Sequence, residues 1–434
     1  MVAALLLLCS TLSVLAGEGH SQIPGAWTVS AAVCELVGEI SRRPIMGSVA
    51  EYGWQVRVGT GERDIIGLHR VVKEIAPFVP NPTSKAVLMA HVDIWGFNGA
   101  FLASLSSASI PDSQALPVFL AQNNVDVWGI DFRWTLVPQE TTAFGFMEAW
   151  DIGTDVEDLG CALSIARNMR AATGSGSGKI HLLGWSRGGM TGYAYLSGGT
   201  QSSEPHVQGF IPVDIFMKTD DAELRQAACD RFEAQQARLV AGTFHDTTGL
   251  LISTVGTLAI TAPDDPSGVI PGLTNLQAAL FLGTSTFALF APFPPPVPSY
   301  HFTGGLAGDP TTLLYTQDPY WIDFLQGAAP YEPVNIFAQG EALICDHDEI
   351  VDLPFDDHLA EITVPILYVG AGGGFGEFGV YTTTLLGSTD VSIHLVDLRP
   401  VEERVEDFGH ADLFLADKAK NLVWKQILDW IRSH

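Results

Sequence analysis

Two stretches near the start of the chain are rich in β-branched residues and predict neighbouring strands. They cover residues 52–59 and 64–72, and a turn-like Thr-Gly-Glu-Arg segment separates them. Strand-like runs joined by a short turn that contains glycine favour a β-hairpin. The sequence therefore predicts an antiparallel pair of strands in this part of the chain.

Beyond the hairpin, short continuous apolar runs alternate with stretches of helical periodicity. Continuous apolar runs are typical of strands buried on both faces of a parallel sheet. These runs cover residues 85–91, 125–131, 180–184 and 207–214. The helical patterns cover residues 111–124, 149–173 and 187–199. Such alternation predicts the α/β class, with a mostly parallel sheet flanked by helices.

The alternation breaks after the sixth predicted strand. Residues 215–360 hold a helical stretch and then an apolar segment, 276–302, whose proline cluster cannot continue a helix. Strand patterns and an amphipathic helix return afterwards, at residues 364–370, 391–397 and 416–434. Because loops tolerate long insertions, we predict that residues 215–360 form a cap or lid inserted into one α/β domain made of residues 17–214 and 361–434.

The chain opens with an apolar run at residues 3–15 that gives way to a polar stretch after Ala16. The run is too short to span a bilayer and resembles the apolar core and cleavage site of a secretory signal. We predict a signal peptide at residues 1–16 and a secreted protein, either extracellular or periplasmic. The alternative is a buried N-terminal helix.

Composition narrows the possible partners. Apolar residues make up 47% of the 434 positions, so a large buried core is feasible. The 22 basic and 49 acidic residues give a net charge of −27. That charge repels phosphate backbones and anionic membrane surfaces, which argues against a nucleic-acid partner. We expect neither nucleic-acid binding nor stable membrane insertion.

Four cysteines remain after the predicted signal peptide: Cys34, Cys161, Cys229 and Cys345. In an exported protein they permit up to two disulfides with three possible connectivities. Cys229 and Cys345 fall near the two ends of the predicted insertion, so a bridge between them is one possibility. No C-x-x-C, H-E-x-x-H or His/Cys cluster occurs, and we predict no metal and no cofactor.

Residues 184–188 read Gly-Trp-Ser-Arg-Gly and match the pattern G-x-S-x-G. In this pattern a tight strand-to-helix turn strains the serine backbone, and glycines avoid the clashes. The turn exposes the serine Oγ and aims the next N–H at a developing oxyanion. A bare match could arise by chance among 44 glycines, and a capping serine is the alternative. The preceding strand and following helix favour Ser186 as a nucleophile.

A serine hydroxyl needs a general base. His410 follows the last predicted strand and precedes the closing helix, where we expect that base. Other histidines lie in or near the insertion or inside a strand, namely His301, His347, His358 and His394. A solvated loop histidine is the alternative for His410.

The base needs an acid that fixes its tautomer. The turn after the seventh predicted strand holds a single acid, Glu377, whereas Asp214 ends the sixth predicted strand. We favour Asp214, because a strand end holds a carboxylate more rigidly than a glycine-rich loop, and keep Glu377 as the alternative. Asp390 and Asp397 are weaker candidates, and Asp214 could also be purely structural.

Two backbone N–H groups should stabilise the oxyanion. We predict one from Arg187 and the other from Val92 or Asp93, in the loop after the third predicted strand. His91 in that loop is expected to be a structural hydrogen-bonding residue.

With these features, residues 50–434 resemble the α/β-hydrolase superfamily. The segment 56–72, with its charged turn, is similar to the N-terminal hairpin of acid-type lipases, and the strand at 125–133 and the turn at 184–189 fit the comparison. The lid and the missing His-Gly in the loop after the third strand differ from that subgroup. The resemblance implies a serine hydrolase with an acyl-enzyme on Ser186, proton transfer by His410 and deacylation by water.

The expected substrate is a small-molecule or lipid-like carboxylic ester. Phenylalanines of the insertion could line an apolar pocket or simply pack it onto the body: Phe281, Phe287, Phe290 and Phe293. A serine nucleophile counts against dehalogenases and epoxide hydrolases, which use a carboxylate. A peptidase or amidase, an acyltransferase and a non-catalytic binding protein stay as alternatives.

Overall fold

A computed structural model describes residues 34–198, 206–346 and 352–434. The predicted signal peptide and His347 lie outside these ranges. The strands, in chain order, are β1 Glu35–Met46, β2 Val49–Arg57, β3 Ile65–Ala76, β4 Val79–Pro80, β5 Lys85–Ala90, β6 Val125–Asp131, β7 Ile180–Trp185, β8 Val207–Val213, β9 His245–Asp246, β10 Gly305–Leu306, β11 Asp309–Leu313, β12 Glu332–Pro333, β13 Ile366–Ala371 and β14 Val391–Val396.

One large sheet has the strand order β1-β2-β3-β6-β5-β7-β8-β13-β14, with β4 paired to β3. The predicted hairpin is present, because β2 and β3 pair antiparallel from Val49 opposite Lys73 to Arg57 opposite Ile65. From β6 to β14 all neighbouring strands are parallel. The sheet is therefore mostly parallel, as the alternating pattern predicts.

The helices, in chain order, are α1 Phe97–Phe101, α2 Leu116–Gln122, α3 Ile152–Ala172, α4 Arg187–Ser197, α5 Ala222–Val240, α6 Thr248–Thr261, α7 Asn275–Thr284, α8 Asp318–Gln326, α9 Val334–Cys345, α10 Val380–Thr384, α11 Asp412–Leu415 and α12 Lys425–Ser433. The helix predicted over 111–124 begins only at Leu116, because Pro117 suits the first turn of a helix.

Apolar side chains of the parallel strands alternate between two cores, one on each face of the sheet. In β5, Val87 and Met89 pack into the core that includes the closing helix, whereas Leu88 packs into the core that includes α3 and α4. Both faces are thus covered by helices, which explains why the strand patterns are continuously apolar.

Strand β1 is the longest strand that the sequence patterns did not predict. It lies at the edge of the sheet beside β2, and most of its side chains are exposed or half-buried. Such a strand shows no apolar alternation, and its Pro44 is tolerated because an edge strand lacks one neighbour. A disulfide joins Cys34, just before β1, to Cys161 of α3.

Among the described residues between β8 and β13, five helices, α5 to α9, lie within residues 215–360. Helices α5 and α9 pack against each other, and a disulfide between Cys229 and Cys345 joins them. Strand β12 pairs with β9 inside the same segment. Within the described residues, no helix is both long and apolar enough to cross a bilayer.

Candidate active site

The turn after β7 holds Ser186 in a strained conformation, with φ 54° and ψ −122°. Positive φ is rare for residues other than glycine. Neighbouring glycines make the turn possible, since a Cβ at Gly184 would lie 2.3 Å from the carbonyl oxygen of Gly188. Helix α4 begins directly after the serine, so the strand–turn–helix context expected of a nucleophile elbow is present.

The same turn lies against the loop after β5. A Cβ at Gly188 would lie 2.3 Å from the carbonyl oxygen of Ala90, so only glycine permits this approach. Val92, Asp93 and Arg187, the predicted oxyanion residues, all line the cavity that Ser186 lines. The structure therefore brings the two predicted sources of oxyanion N–H groups to one wall beside the serine.

His91, one residue earlier, takes no part in this wall. Its Nδ1 lies 2.9 Å from the carbonyl oxygen of Val92, and its Nε2 accepts a hydrogen bond from the backbone N–H of Phe132. Burial lowers the pKa of His91, so the neutral ring is favoured. This is the structural role expected for it.

His410 is fully buried in the loop between β14 and the closing helix. Its backbone N–H donates to the carbonyl oxygen of His301, and the N–H of Ala411 donates to that of Phe302. The loop is tied in addition by Asp412, whose carboxylate accepts hydrogen bonds from Gly304 and Gly409. Burial raises the pKa of Asp412 to about 7. Residues of the 215–360 segment thus fix the backbone on both sides of His410.

Asp214 is the carboxylate that reaches His410. Its Oδ2 lies 2.7 Å from Nδ1 of His410, and neither side chain is exposed to solvent. Backbone N–H groups of Ala371 and Gly376 donate to Oδ1, and that of Phe375 donates to Oδ2. Every lone-pair direction of this buried carboxylate therefore has a donor.

The last residue of β13 and the glycine-rich turn after it provide those donors. A Cβ at Gly374 would lie 1.9 Å from Oδ2 of Asp214, so the turn can wrap the carboxylate only because it lacks side chains. Glu377, the alternative acid, lies in this turn but is exposed, and among the described residues its carboxylate makes no hydrogen bond to His410. The turn supplies N–H groups in place of an acid.

The other acids and histidines considered from the sequence lie elsewhere. Asp390 bonds with His434, and Asp397 is exposed. His301 contacts backbone carbonyl oxygens through both ring nitrogens, and His358 pairs with Glu361 on the surface. His394 contacts the carbonyl oxygen of Leu422.

Four aromatic rings surround the imidazole of His410. Their centroids lie 5.2 to 5.8 Å from its own and belong to Trp185, Tyr300, Phe302 and Phe375. Nε2 of His410 has no hydrogen-bond partner among the described residues. Three of these rings, those of Tyr300, Phe302 and Phe375, line the cavity together with Ser186. The ring nitrogen that Asp214 does not occupy thus lies in a ring enclosed by aromatic side chains, three of which line the same cavity as Ser186.

The cavity has a volume of about 380 Å³ and lies between the α/β body and the 215–360 segment. Of the four phenylalanines predicted to line or pack the insertion, Phe290 and Phe293 line the cavity, whereas Phe281 and Phe287 are not among its lining residues. Further apolar lining comes from Ile252 and Phe337. A largely apolar chamber therefore opens above Ser186.

Charged side chains on the cavity wall form pairs. Nε of Arg187 donates to Oδ1 of Asp93 at 2.9 Å, and Arg231 makes a bidentate ion pair with Glu341. Asp93 raises the pKa of Arg187 against the opposing effect of burial. Because these charges are already compensated, the wall presents no isolated charge to a ligand.

Several lining residues were not named as candidates from the sequence. Tyr300, Phe302 and Phe375 lie in loops without periodicity, and Phe375 belongs to the turn considered only for its acid. Chain order cannot show that these loops meet at His410. Among the described residues, no group of three or more His, Cys, Asp or Glu side chains is arranged to hold a metal ion.

No protein-family model and no curated protein sequence matches the chain. Solved structures do match. A protein from Sulfolobus solfataricus provisionally described as a lipase is 19% identical, with a TM-score of 0.62 over 92% of this chain and 99% of its own. A soluble variant of monoglyceride lipase from Saccharomyces cerevisiae is 13% identical, with a TM-score of 0.44 over 95% and 99% of the two chains.

A thermophilic esterase from Thermogutta terrifontis is 12% identical, with a TM-score of 0.39 over 87% of this chain and 97% of its own. At such identities the similarity concerns the fold. The strand order, the strained serine turn after β7 and the extensive superposition on the Sulfolobus structure lead to one conclusion: the chain has the α/β-hydrolase fold.

Proposed function

We propose that the protein is a secreted serine hydrolase that cleaves carboxylic esters with apolar acyl or alcohol groups. The observation that carries this proposal is the pairing of Asp214 with His410 at 2.7 Å beside an apolar cavity lined by the strained Ser186. A serine in a strained turn, a histidine whose Nε2 has no partner among the described residues and a carboxylate on its Nδ1 are the three groups that acyl transfer requires.

In the proposed reaction, Oγ of Ser186 attacks the ester carbonyl carbon while Nε2 of His410 accepts its proton. Asp214 accepts a hydrogen bond from Nδ1–H, which fixes the tautomer that leaves Nε2 able to accept. The charge that develops on the imidazolium is balanced by the buried carboxylate. Because four contacts hold that carboxylate, little reorganisation is needed during proton transfer.

The tetrahedral intermediate places its oxyanion between the backbone N–H of Arg187 and that of Val92 or Asp93. His410 then donates its proton to the leaving alcohol oxygen, and an acyl-enzyme remains on Ser186. A water molecule, deprotonated by the same nitrogen, attacks the acyl carbon and releases the carboxylic acid. No redox or metal chemistry is needed for these steps.

The cavity supports a neutral, apolar substrate. Its phenylalanines provide contact area, and its arginines are already paired with Asp93 and Glu341. A charged peptide or a carboxylate would have to displace one of these pairs and leave its partner uncompensated. This favours esters over peptides. The 215–360 segment covers the cavity, which supports the proposed role as a cap.

Export is the second part of the proposal. Two disulfides, Cys34–Cys161 and Cys229–Cys345, link segments more than 100 residues apart, and such bridges persist in oxidising compartments. Sequencing the N-terminus of protein recovered from culture medium or periplasm tests this. A start near residue 17 agrees with the proposed signal peptide, and retention of Met1 in the cytoplasm contradicts it.

Active-site labelling tests the catalytic part. A fluorophosphonate probe should label the folded wild-type protein, and Ser186→Ala should abolish the labelling because the Oγ is absent. The matched control is Ser109→Ala on an exposed loop, which should label like wild type. Labelling of Ser186→Ala, or no labelling of the folded wild type, contradicts the proposal.

A series of p-nitrophenyl esters of increasing acyl length then defines the substrate class. We expect turnover of apolar acyl groups and none of a peptide anilide of matched size. Cleavage of the anilide without any ester cleavage would favour a peptidase instead. Transfer of the acyl group to an added alcohol in preference to water would favour an acyltransferase.

A further inference from the structure

Among the described residues, two arginines line the cavity, Arg187 and Arg231, and their guanidinium groups differ in how many partners they have. In Arg231, Nε and Nη2 donate to the two carboxylate oxygens of Glu341, and Nη1 donates to the carbonyl oxygen of Pro294. Every nitrogen of this guanidinium has an oxygen acceptor. Arg231 therefore closes the wall and leaves no nitrogen unbonded on the cavity side.

Arg187, which directly follows the serine, is bonded at fewer positions. Its Nε donates to Oδ1 of Asp93 at 2.9 Å, and its Nη1 lies 3.1 Å from the thioether sulfur of Met190, a weak acceptor. A guanidinium carries five N–H bonds. Among the described residues, both N–H bonds of Nη2 and one of Nη1 thus have no acceptor.

The unbonded nitrogen of Arg187 is open to the cavity. Nitrogen atoms that are both buried and without a partner include Nε of Arg170 and Nε of Arg404, but none belongs to Arg187. Nη2 of Arg187 therefore has accessible surface, although its side chain as a whole is only 11% exposed. The space that this side chain lines is the cavity it shares with Ser186.

The guanidinium is held in one orientation by the cap. A Cβ at Gly340 of α9 would lie 1.7 Å from Nη1 and 3.1 Å from Nη2 of Arg187. Glycine is unfavourable inside a helix, and here it leaves the room that the guanidinium occupies. One turn earlier, the ring of Phe337 lies beneath the guanidinium, with its centroid 5.6 Å from Cζ. Asp93 fixes the opposite edge, so the free N–H bonds have a defined direction.

The charge of the guanidinium is already balanced. Burial lowers the pKa of Arg187, and the carboxyl groups of Asp93, Glu332 and Glu341 raise it by more. The side chain is thus a cation surrounded by acidic groups. A ligand carboxylate at Nη2 would meet their repulsion, whereas a neutral oxygen would accept the free N–H bonds without adding charge. The donors are suited to a neutral acceptor.

We propose that the guanidinium of Arg187 determines substrate specificity, and that the substrate is an ester with a second, neutral oxygen acceptor in an otherwise apolar chain. An ether, hydroxyl or carbonyl oxygen has the required chemistry. A few placed polar groups in an apolar pocket fix the orientation of a ligand, and Nη2 would do so beside the nucleophile. This inference rests on the proposed serine hydrolase function and adds a requirement to its substrate class.

The test compares esters that differ by one atom. p-Nitrophenyl heptanoate is compared with analogues in which the fourth, fifth or sixth chain atom is an ether oxygen, and butyrates of hexanol and its ether analogues cover the alcohol side. We expect one ether position to raise kcat/KM by about tenfold, because the all-carbon chain leaves the N–H bonds of Nη2 without a partner. A chain of equal length that ends in a carboxylate should be hydrolysed more slowly than the ether.

The variant Arg187→Met/Asp93→Asn removes the guanidinium without leaving the carboxylate of Asp93 unpaired, and it retains both backbone N–H groups. The ratio of kcat/KM between the ether and the all-carbon ester should fall to within about twofold of one. Arg187→Lys keeps the charge and the pair with Asp93 but has a single nitrogen, so it should lower the ratio as well. A ratio is independent of a general loss of activity.

The matched control is Arg231→Met/Glu341→Gln. It removes the fully bonded arginine of the same cavity and should keep the wild-type ratio. Thermal unfolding and fluorophosphonate labelling show that each variant is folded with a reactive serine.

Four results contradict the inference. They are equal kcat/KM for ether and all-carbon esters in wild type, preference for the carboxylate chain, an unchanged ratio in the folded Arg187 variants, and an equal fall of the ratio in the Arg231 control. The absence of both labelling and ester turnover in wild type would instead overturn the proposed function itself.

Discussion

Two buried histidines of this protein are bonded to carboxylates, and their surroundings differ in one respect. His410 contacts Asp214 through Nδ1, whereas its Nε2 has no partner among the described residues. His69 of β3 contacts Glu51 through Nδ1 and Asp131 through Nε2, at 2.9 and 2.8 Å. One ring keeps a free nitrogen beside the cavity, and the other has none.

The second carboxylate changes the chemistry of the ring. Asp131 and Glu51 together raise the pKa of His69 to about 10 despite its burial, so both ring nitrogens remain donors and the imidazolium is permanent at neutral pH. A permanent cation cannot act as a base. A buried histidine–carboxylate pair therefore supports catalysis only where one nitrogen is free and a reactive group lies nearby, which here distinguishes His410 from His69.

The largest effect should come from replacing the acid of the His410 pair. We expect Asp214→Asn to lower kcat by about 10⁴-fold, because an amide favours the tautomer in which Nε2 is protonated and cannot accept from Ser186. Steady-state hydrolysis of p-nitrophenyl butyrate measures this. The variant should remain folded by circular dichroism, and a loss below about tenfold in the folded variant would show that Asp214 is only structural.

The next effect concerns the cluster formed by His69, Glu51 and Asp131. It is an effect on the free energy of unfolding. The folded-state pKa of about 10 exceeds the unfolded value of about 6.5. The cluster's contribution to the free energy of unfolding is therefore fully present below about pH 6.5 and is lost as pH rises through about 10. Urea unfolding at about pH 6 and about pH 10 measures it. The same comparison in His69→Gln should show a smaller alkaline loss, and an equal loss would assign it to other groups.

A third variant makes the two histidines more alike. Glu51→Gln leaves His69 with one ionised partner, as His410 has. We expect it to lower the free energy of unfolding by about 1.5–3 kcal/mol, the usual contribution of a hydrogen bond to a charged group. The ester hydrolysis rate should stay at the wild-type value, because His69 does not line the cavity. A large fall in kcat without unfolding would contradict the separation of the two clusters.

The smallest effect is expected at Glu377. This exposed side chain lies in the turn that wraps Asp214, so Glu377→Gln should change kcat by less than about twofold, within the range of surface substitutions. The backbone N–H groups, which the substitution leaves in place, do the binding. A loss comparable with that of Asp214→Asn would reverse the assignment of the acid.

Local sequence patterns predicted the strands of the parallel sheet well. Residues 125–131 were predicted as a strand and form β6, and the predicted run 207–214 forms β8 with Asp214 at its end. Such runs can be recognised as strands because a strand covered on both faces must be apolar throughout. The edge strand β1 could not be recognised in this way. Its side chains are exposed or half-buried, so its sequence mixes polar and apolar residues.

The partner of His410 shows what local sequence patterns cannot predict. The sequence favoured Asp214 over Glu377, but the reason for the glycine-rich turn was not visible. Those glycines allow three backbone N–H groups to reach the Asp214 carboxylate. A glycine-rich loop is usually interpreted as flexible, whereas here close approach of another residue requires the absence of side chains.

The sequence alone determined the class of sheet, the serine turn and the position of the histidine, because strand burial, glycine spacing and chain order are local or sequential properties. The tertiary structure decided the rest. It paired Cys34 with Cys161 and Cys229 with Cys345, placed only Phe290 and Phe293 of the four phenylalanines on the cavity wall, and brought Glu332 to the backbone N–H of Ile94. Each of these contacts joins residues far apart in the chain, and only the packing of helices and loops around the sheet selects among the possible partners.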